Sequence, residues 1–135
     1  VWNEVSRRYV DDEPEFYFPD VWRGKPENAK QGSSGELDPD TWVYVDSDVK
    51  RITQLCLEHY NFMIKVGTAP EQARMILPQN TITEWYWTGS LAFFARVCKL
   101  RLDSHAQQET QEIAKMINDL IPKEYQHSWN ALMNE

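Results

Sequence analysis

Apolar positions recur every three or four residues between Trp42 and Val66. Trp42, Val45, Val49, Ile52, Cys56, His59, Met63 and Val66 form one stripe, which predicts a long amphipathic helix. Asp38 stands where the first unpaired amides of that helix need an acceptor, Pro39 suits its first turn, and Gly67 suits its end. Thr68-Ala69-Pro70-Glu71 has capping-box spacing and predicts a second, shorter helix that carries Arg74 and is stopped by Pro78. The period then changes. From Asn80 to Thr88 the residues are β-branched or aromatic, with Thr83, Trp85 and Trp87 on one face and Ile82, Glu84 and Tyr86 on the other, as in a strand. Helical spacing returns with Leu91, Phe94, Val97, Cys98 and Leu100, in a third helix capped by Ser90 and running to Arg101. A second capping box, Ser104-His105-Ala106-Gln107, predicts a fourth helix headed by His105 and ending near Leu120. Beyond Pro122 a last helix carries Tyr125, Trp129 and Leu132.

The N-terminal third is less regular. Val1–Val10 is expected to be irregular or a short helical turn, and Glu15–Phe18, between Pro14 and Pro19, a short strand. Arg23–Glu36 is rich in Gly, Pro, Ser, Lys and Asn and predicts a mobile loop, either functional or a simple connector. No internal repeat is present. The sum is a single helix-rich α+β domain over residues 1–135 with a few short strands.

Composition narrows this further. With 135 residues, 41% hydrophobic and 13% aromatic, the chain can bury a core, and disorder is excluded for most of it. A net charge of −7 argues against a nucleic-acid polymer as partner, because that role needs a basic footprint. The acidity is local: residues 10–40 hold nine acids and three bases, so the remainder is close to neutral and able to host a cationic pocket. Cys56 and Cys98, the only cysteines, have neither metal-type spacing nor the look of a disulfide framework, and no metal site is expected. No apolar run reaches membrane-spanning length and no signal peptide is visible, so a cytoplasmic setting is expected.

Three groups of residues carry candidate chemistry. Arg74 and Arg101 each stand where a helix is about to end, against an apolar run expected to be buried. A guanidinium cannot shed its charge there, so each calls for an anionic or planar polar partner, in a structural ion pair or in a ligand site. Ser6-Arg7-Arg8 offers a hydroxyl, successive amides and two guanidiniums, which suit an oxyanion or are simply solvated charges. Cys56 and Cys98 lie on or beside helical core stripes, where a thiol is packing rather than nucleophile; His59 and His127 belong to packing or surface.

The blocks Asn3-Glu4-Val5-Ser6-Arg7-Arg8-Tyr9 with Glu15-Phe16-Tyr17-Phe18-Pro19, then Ala73-Arg74-Met75-Ile76-Leu77-Pro78, then Leu100-Arg101-Leu102-Asp103-Ser104-His105-Ala106-Gln107 are collinear. In order and separation this sequence resembles the flavin-dependent thymidylate synthases, over nearly all of the chain except Trp22–Glu36. The resemblance implies that family's helix-rich fold without its N-terminal part. It implies reductive methylation of dUMP to dTMP, with methylenetetrahydrofolate as carbon donor, FAD as hydride source and NADPH as reductant. It also implies a homotetramer whose sites are shared between subunits. Glu4, Val5, Ser6, Arg7, Arg8, Arg74 and Arg101 are implied to bind dUMP, with Arg101 catalytic through polarisation of the pyrimidine. Asn3, Glu4, Ser90, Ala92, Arg96 and His105 are implied to bind FAD.

Two departures stand out. Ser90, Ala92 and Arg96 occupy positions where many relatives have Asn, Arg and a second Asn or His; Ala92 brings no charge, whereas Arg96 can pair with a diphosphate. The family's Arg-His-Arg-x-x-Ser signature directly precedes its Asn-Glu pair, and only its last position, here Val1, falls within the sequence. The chain is therefore expected to be a fragment lacking an N-terminal segment. Two rival readings follow: a catalytically silent helical assembly or interaction domain derived from the same family, and a nucleotide-binding module with different chemistry.

Overall fold

The computed structural model describes residues 2–4, 13–27 and 32–134. Val5, Ser6, Arg7 and Arg8 lie outside the described residues. Contacts gather into two compact units, Trp2–Trp22 with Glu36–Trp87, and Arg23–Gly35 with Thr88–Glu135.

The first unit is built on α1 (Pro39–Lys65). Its start is the one the sequence predicts: Asp38 Oδ1 accepts from the Thr41 N–H at 3.0 Å, and Pro39 occupies the first turn. Its end is fixed by Gly67 at φ +88°, where the Gly67 N–H donates to Ile64 O at 3.0 Å and the Thr68 N–H to Met63 O at 2.9 Å. That pair satisfies carbonyls the last turn would otherwise leave bare, in a conformation that glycine adopts without a Cβ penalty.

The buried line of α1 departs from the predicted stripe. Trp42, Val45, Val49, Thr53, Cys56, Tyr60 and Met63 are buried or half-buried, whereas Ile52, His59 and Val66 are exposed. The helix carries apolar side chains on two faces, and Thr53 and Tyr60, one residue beyond Ile52 and His59, keep the inward line in register. Tyr44, Ile52, Leu55, Phe62 and Val66 form a second apolar stripe that stays open, with Tyr44 71% and Phe62 56% exposed.

α2 (Pro70–Ala73) is one turn long and passes directly into a 3₁₀ turn, Arg74–Ile76. The capping box is not realised: Ala69, with ψ 133°, is the cap residue and no side chain caps the helix. A residue before proline is disfavoured in the helical region, which moves the start past Thr68, and Pro78 likewise leaves Leu77 extended at ψ 133°. Arg74 therefore heads a 3₁₀ turn instead of sitting within a helix.

β1 (Trp2–Glu4) and β2 (Trp85–Trp87) pair antiparallel, with Trp2 opposite Trp87, Asn3 opposite Tyr86 and Glu4 opposite Trp85. A strand at Trp2–Glu4 corrects the expected irregular segment or turn; its partner is remote, so local patterning carries no trace of it. The predicted strand Asn80–Thr88 is reduced to β2, and Glu15–Phe18 to one bridge between Phe16 and Thr81, flanked by Tyr17 N–H to Asn80 O and Ile82 N–H to Glu15 O, both 2.8 Å.

In the second unit α3 (Leu91–Arg101) packs on α4 (Gln108–Asp119) and on α5 (Gln126–Asn134), which follows a 3₁₀ turn at Lys123–Tyr125. Ser90 caps α3 as predicted, its Oγ accepting from the Phe93 N–H at 3.2 Å. Ala95, Cys98 and Trp129 form the core, with Leu91, Phe94, Ile117, Ile121, Leu132 and Met133 around them. The small Ala95 and Ala114 let helices approach closely, and the Trp129 indole N–H, buried with its ring, donates to Asn118 Oδ1 at 3.0 Å. Burial pushes the Cys98 thiol up, in keeping with an inert packing role. Among the described residues no helix is long and apolar enough to cross a membrane.

Candidate functional site

Arg101 is the last residue of α3, and the chain turns at once through Leu102–Gln107 into α4. The turn is organised by Asp103, whose Oδ1 accepts from the His105 N–H and contacts the His105 ring Nδ1, each at 2.8 Å. These two bonds, the backbone one first, hold the Asp103 carboxyl below its usual range. From α4, Gln111 Nε2 donates to Ala106 O at 2.7 Å. His105 is consequently in a tight turn and does not head a helix. α4 begins at Gln108 behind an extended Gln107, with no side-chain cap, and the Ala106 N–H that a Ser104 cap would take donates instead to Asp103 O at 3.0 Å.

Ser90, Ala92, Arg96, Arg101 and His105 all belong to the second unit, along α3 and its exit turn, and all are exposed. Ala92 and Arg96 line a groove of about 360 Å³ with Ala95, Lys99, Leu100 and Leu132. Two cations, Arg96 and Lys99, one turn apart beside two alanines, make room and charge for a diphosphate, so the departures at Ala92 and Arg96 still fit an anionic cofactor. Lys99 was not singled out from the sequence, although its spacing from Arg96 was a readable signal. The Ser90 oxygen is occupied as a helix cap, but its hydroxyl proton stays available.

Asn3, Glu4 and Arg74 belong to the first unit. Asn3 and Glu4 lie on β1, and Glu4 Oε1 accepts from Thr83 Oγ1 at 3.1 Å. Arg74 is exposed, as is Arg101. The apolar runs beside them are open too, with Met75 83% and Leu100 59% exposed. The expectation that both guanidiniums are desolvated is thus corrected: the short 3₁₀ turn and the end of α3 leave both on the surface of their units.

A second cleft of about 470 Å³ adjoins the Asp103–Ala106 turn. It is lined by Arg23, Ser33 and Ser34 from the Arg23–Gly35 segment, by Leu102, Ser104 and Ala106, and by Gln108, Gln111, Glu112 and Lys115 of α4. The sequence marked Leu102, Ser104 and Ala106 within the third block and Ser33 and Ser34 within the Arg23–Glu36 loop, but nothing in it joined the two groups, because they lie about eighty positions apart. Among the described residues no cluster of His, Cys, Asp and Glu is arranged to hold a metal ion.

The thymidylate synthase complementing protein family matches residues 1–125. The chain belongs to this family. It is 33% identical over 129 residues to the flavin-dependent thymidylate synthase of Thermus thermophilus, covering 96% of this chain and 47% of that protein. It is 36% identical over 138 residues to the enzyme of the same name from Wolbachia pipientis, covering 97% and 47%. Among solved structures, the UMP/dUMP methylase PolB from Streptomyces cacaoi, crystallised with 5-Br UMP, superimposes with a TM-score of 0.77 at 26% identity over 88% of this chain and 57% of PolB. The chain spans about half the length of the curated relatives it matches. The family's helix-rich fold is therefore the fold of this chain, as its resemblance to the flavin-dependent synthases implies.

Proposed function

We propose that this chain supplies part of a flavin-dependent thymidylate synthase that converts dUMP to dTMP with methylenetetrahydrofolate, FAD and NADPH. The observation that carries the reading is Arg101: a guanidinium at the exit of α3, exposed, beside a turn that Asp103 has already ordered, in a chain of this family. Uracil becomes a better nucleophile at C5 as negative charge builds on N3 and its neighbouring carbonyl oxygens. A guanidinium in the ring plane stabilises that charge with two parallel bonds. Glu4, Val5, Ser6, Arg7, Arg8 and Arg74 complete the dUMP site, the last reaching it from a neighbouring subunit. Asn3, Glu4, Ser90, Ala92, Arg96 and His105 hold FAD, with Arg96 and its neighbour Lys99 toward the diphosphate. When bound, the flavin supplies the hydride, and the protein supplies position and charge.

Self-association is part of the same reading. The open stripe Tyr44, Ile52, Leu55, Phe62 and Val66 runs along a helix of 27 residues, about 40 Å at 1.5 Å per residue. Apolar side chains exposed along one face, interrupted by Asp48 and His59, support burial against other copies in a homotetramer. The decisive assay is formation of dTMP from dUMP by the complete protein with the three cofactors present, alongside flavin absorbance of the purified material. A colourless protein that binds neither added FAD nor dUMP would establish the silent assembly domain instead. Retained dUMP affinity without tritium release from C5-labelled dUMP would point to a nucleotide-binding module.

A further inference from the structure

We propose that Arg23 is a positioning residue for the Arg101–His105 turn, clasping the Arg23–Gly35 segment to α4. The proposal rests on the reading of Arg101 and His105 as site residues given above. Arg23 Nη2 donates to Glu109 Oε1 in the first turn of α4, and Arg23 Nε donates to Ser33 Oγ at 2.9 Å. Its planar fork thus joins the outgoing limb of the segment, the returning limb and the helix in one side chain. The limbs are also bonded to each other, Gly24 N–H to Gly35 O and Ser34 N–H to Gly24 O, both 2.9 Å.

What the clasp delivers is a close backbone approach. Gly32, at φ +87°, sits so near the turn that a Cβ there would stand 3.3 Å from the His105 carbonyl oxygen. The His105 peptide is held from within by Asp103 and, one residue on, from α4 through Gln111 and Ala106; Gly32 closes the remaining side. With side chains 22% and 42% exposed, the Arg23–Glu109 pair is only partly screened, and it bridges 86 residues of sequence. Ion pairs of that exposure contribute little to global stability. The core of this unit, Ala95, Cys98 and Trp129, does not depend on it. Its effect is local, on where the turn stands.

The test uses the complete protein. Arg23→Met is expected to leave circular dichroism and the Trp129 indole resonance unchanged, to shift the His105 amide resonance, and to lower kcat for dTMP formation roughly tenfold, the scale on which misplaced groups lose rate. Arg23→Lys keeps the charge without the fork and should restore only part of both. Glu109→Gln should reproduce Arg23→Met, and the double variant should be no worse than either, the signature of one shared interaction. Should Arg23→Met fail to fold, Ser33→Ala removes one limb of the clasp, and a smaller shift at His105 is expected. An unmoved His105 resonance in folded Arg23→Met, or in folded Ser33→Ala where Arg23→Met does not fold, or undiminished kcat in an otherwise active protein, would overturn the proposal. If the unmutated protein makes no dTMP, the functional reading fails, while the His105 resonance still decides the clasp.

Discussion

Asp103 holds His105 at two points with a single oxygen, accepting from its backbone N–H and meeting its ring Nδ1, each at 2.8 Å. Both bonds favour the ionised carboxylate, so Asp103 titrates below the ordinary 3.8. A carboxyl whose folded value is depressed contributes above its unfolded value and loses that contribution as pH falls through the folded one. The turn should therefore stay ordered to below pH 3.8. An acid titration followed at the His105 amide should show a midpoint under that value, and Asp103→Asn should abolish the transition. A midpoint at or above 3.8 would contradict the geometry.

Arg101→Lys is the direct probe of the proposed chemistry. It keeps the charge at the end of α3 and loses the parallel pair of donors, so circular dichroism should not change. Turnover in the complete enzyme should fall about tenfold or more, equivalent to about 1.4 kcal/mol in the barrier. Unchanged turnover would remove Arg101 from the catalytic role.

Gly67→Ala tests the end of α1. Nothing stands within 4 Å of a Cβ there, so any cost arises from the backbone at φ +88° alone. A loss of about 1–2 kcal/mol is expected in denaturant unfolding. Gly67→Asn should lose less, since asparagine tolerates that region better.

The cysteines should separate cleanly in reactivity. Cys98 is buried, with its Sγ 3.4 Å from Ala114 O and its thiol pushed up by burial, whereas Cys56 is only half-buried. Ellman's reagent near neutral pH should find one reactive thiol in the native protein and two in denaturant. Cys56→Ala should remove the early reaction. Early labelling that survives Cys56→Ala would mean the core around Cys98 opens readily.

The open face of α1 makes a prediction about assembly. Phe62→Glu places a charge in the exposed stripe without touching the inward line, so the subunit fold should persist. The mass measured by light scattering should drop below that of the unmutated protein. An unchanged mass would show that another surface carries the association.

How much of this was legible in the sequence depended on range. The ends of α1 and the start of α3 were readable, because Asp38, Pro39, Gly67 and Ser90 act on amides and carbonyls within a few residues of themselves. The two capping boxes misled for identifiable reasons: Pro70 forces Ala69 to be extended, and the Ala106 amide that Ser104 would cap is taken by Asp103 O. The inward line of α1 was misplaced because Ile52 and His59 outrank Thr53 and Tyr60 in apolarity or spacing, although the latter are the buried ones. Among site residues, Ser90, Ala92, Arg96, Arg101 and His105 lie along α3 and its exit turn, while the burial inferred for Arg74 and Arg101 is not found. Arg23 with Glu109, and β1 with β2, were invisible because each joins distant segments.

The ribbon of β1 and β2 carries a kinetic corollary. Glu4 and Thr83 are 79 residues apart, and the whole of α1 lies in the stretch of chain that separates the paired strands. Closing so long an excursion has an entropic cost that no neighbouring bond repays in advance, whereas the helices can coil on local interactions. During refolding, deuterium should therefore be locked out of helical amides first, and out of Trp85–Trp87 last.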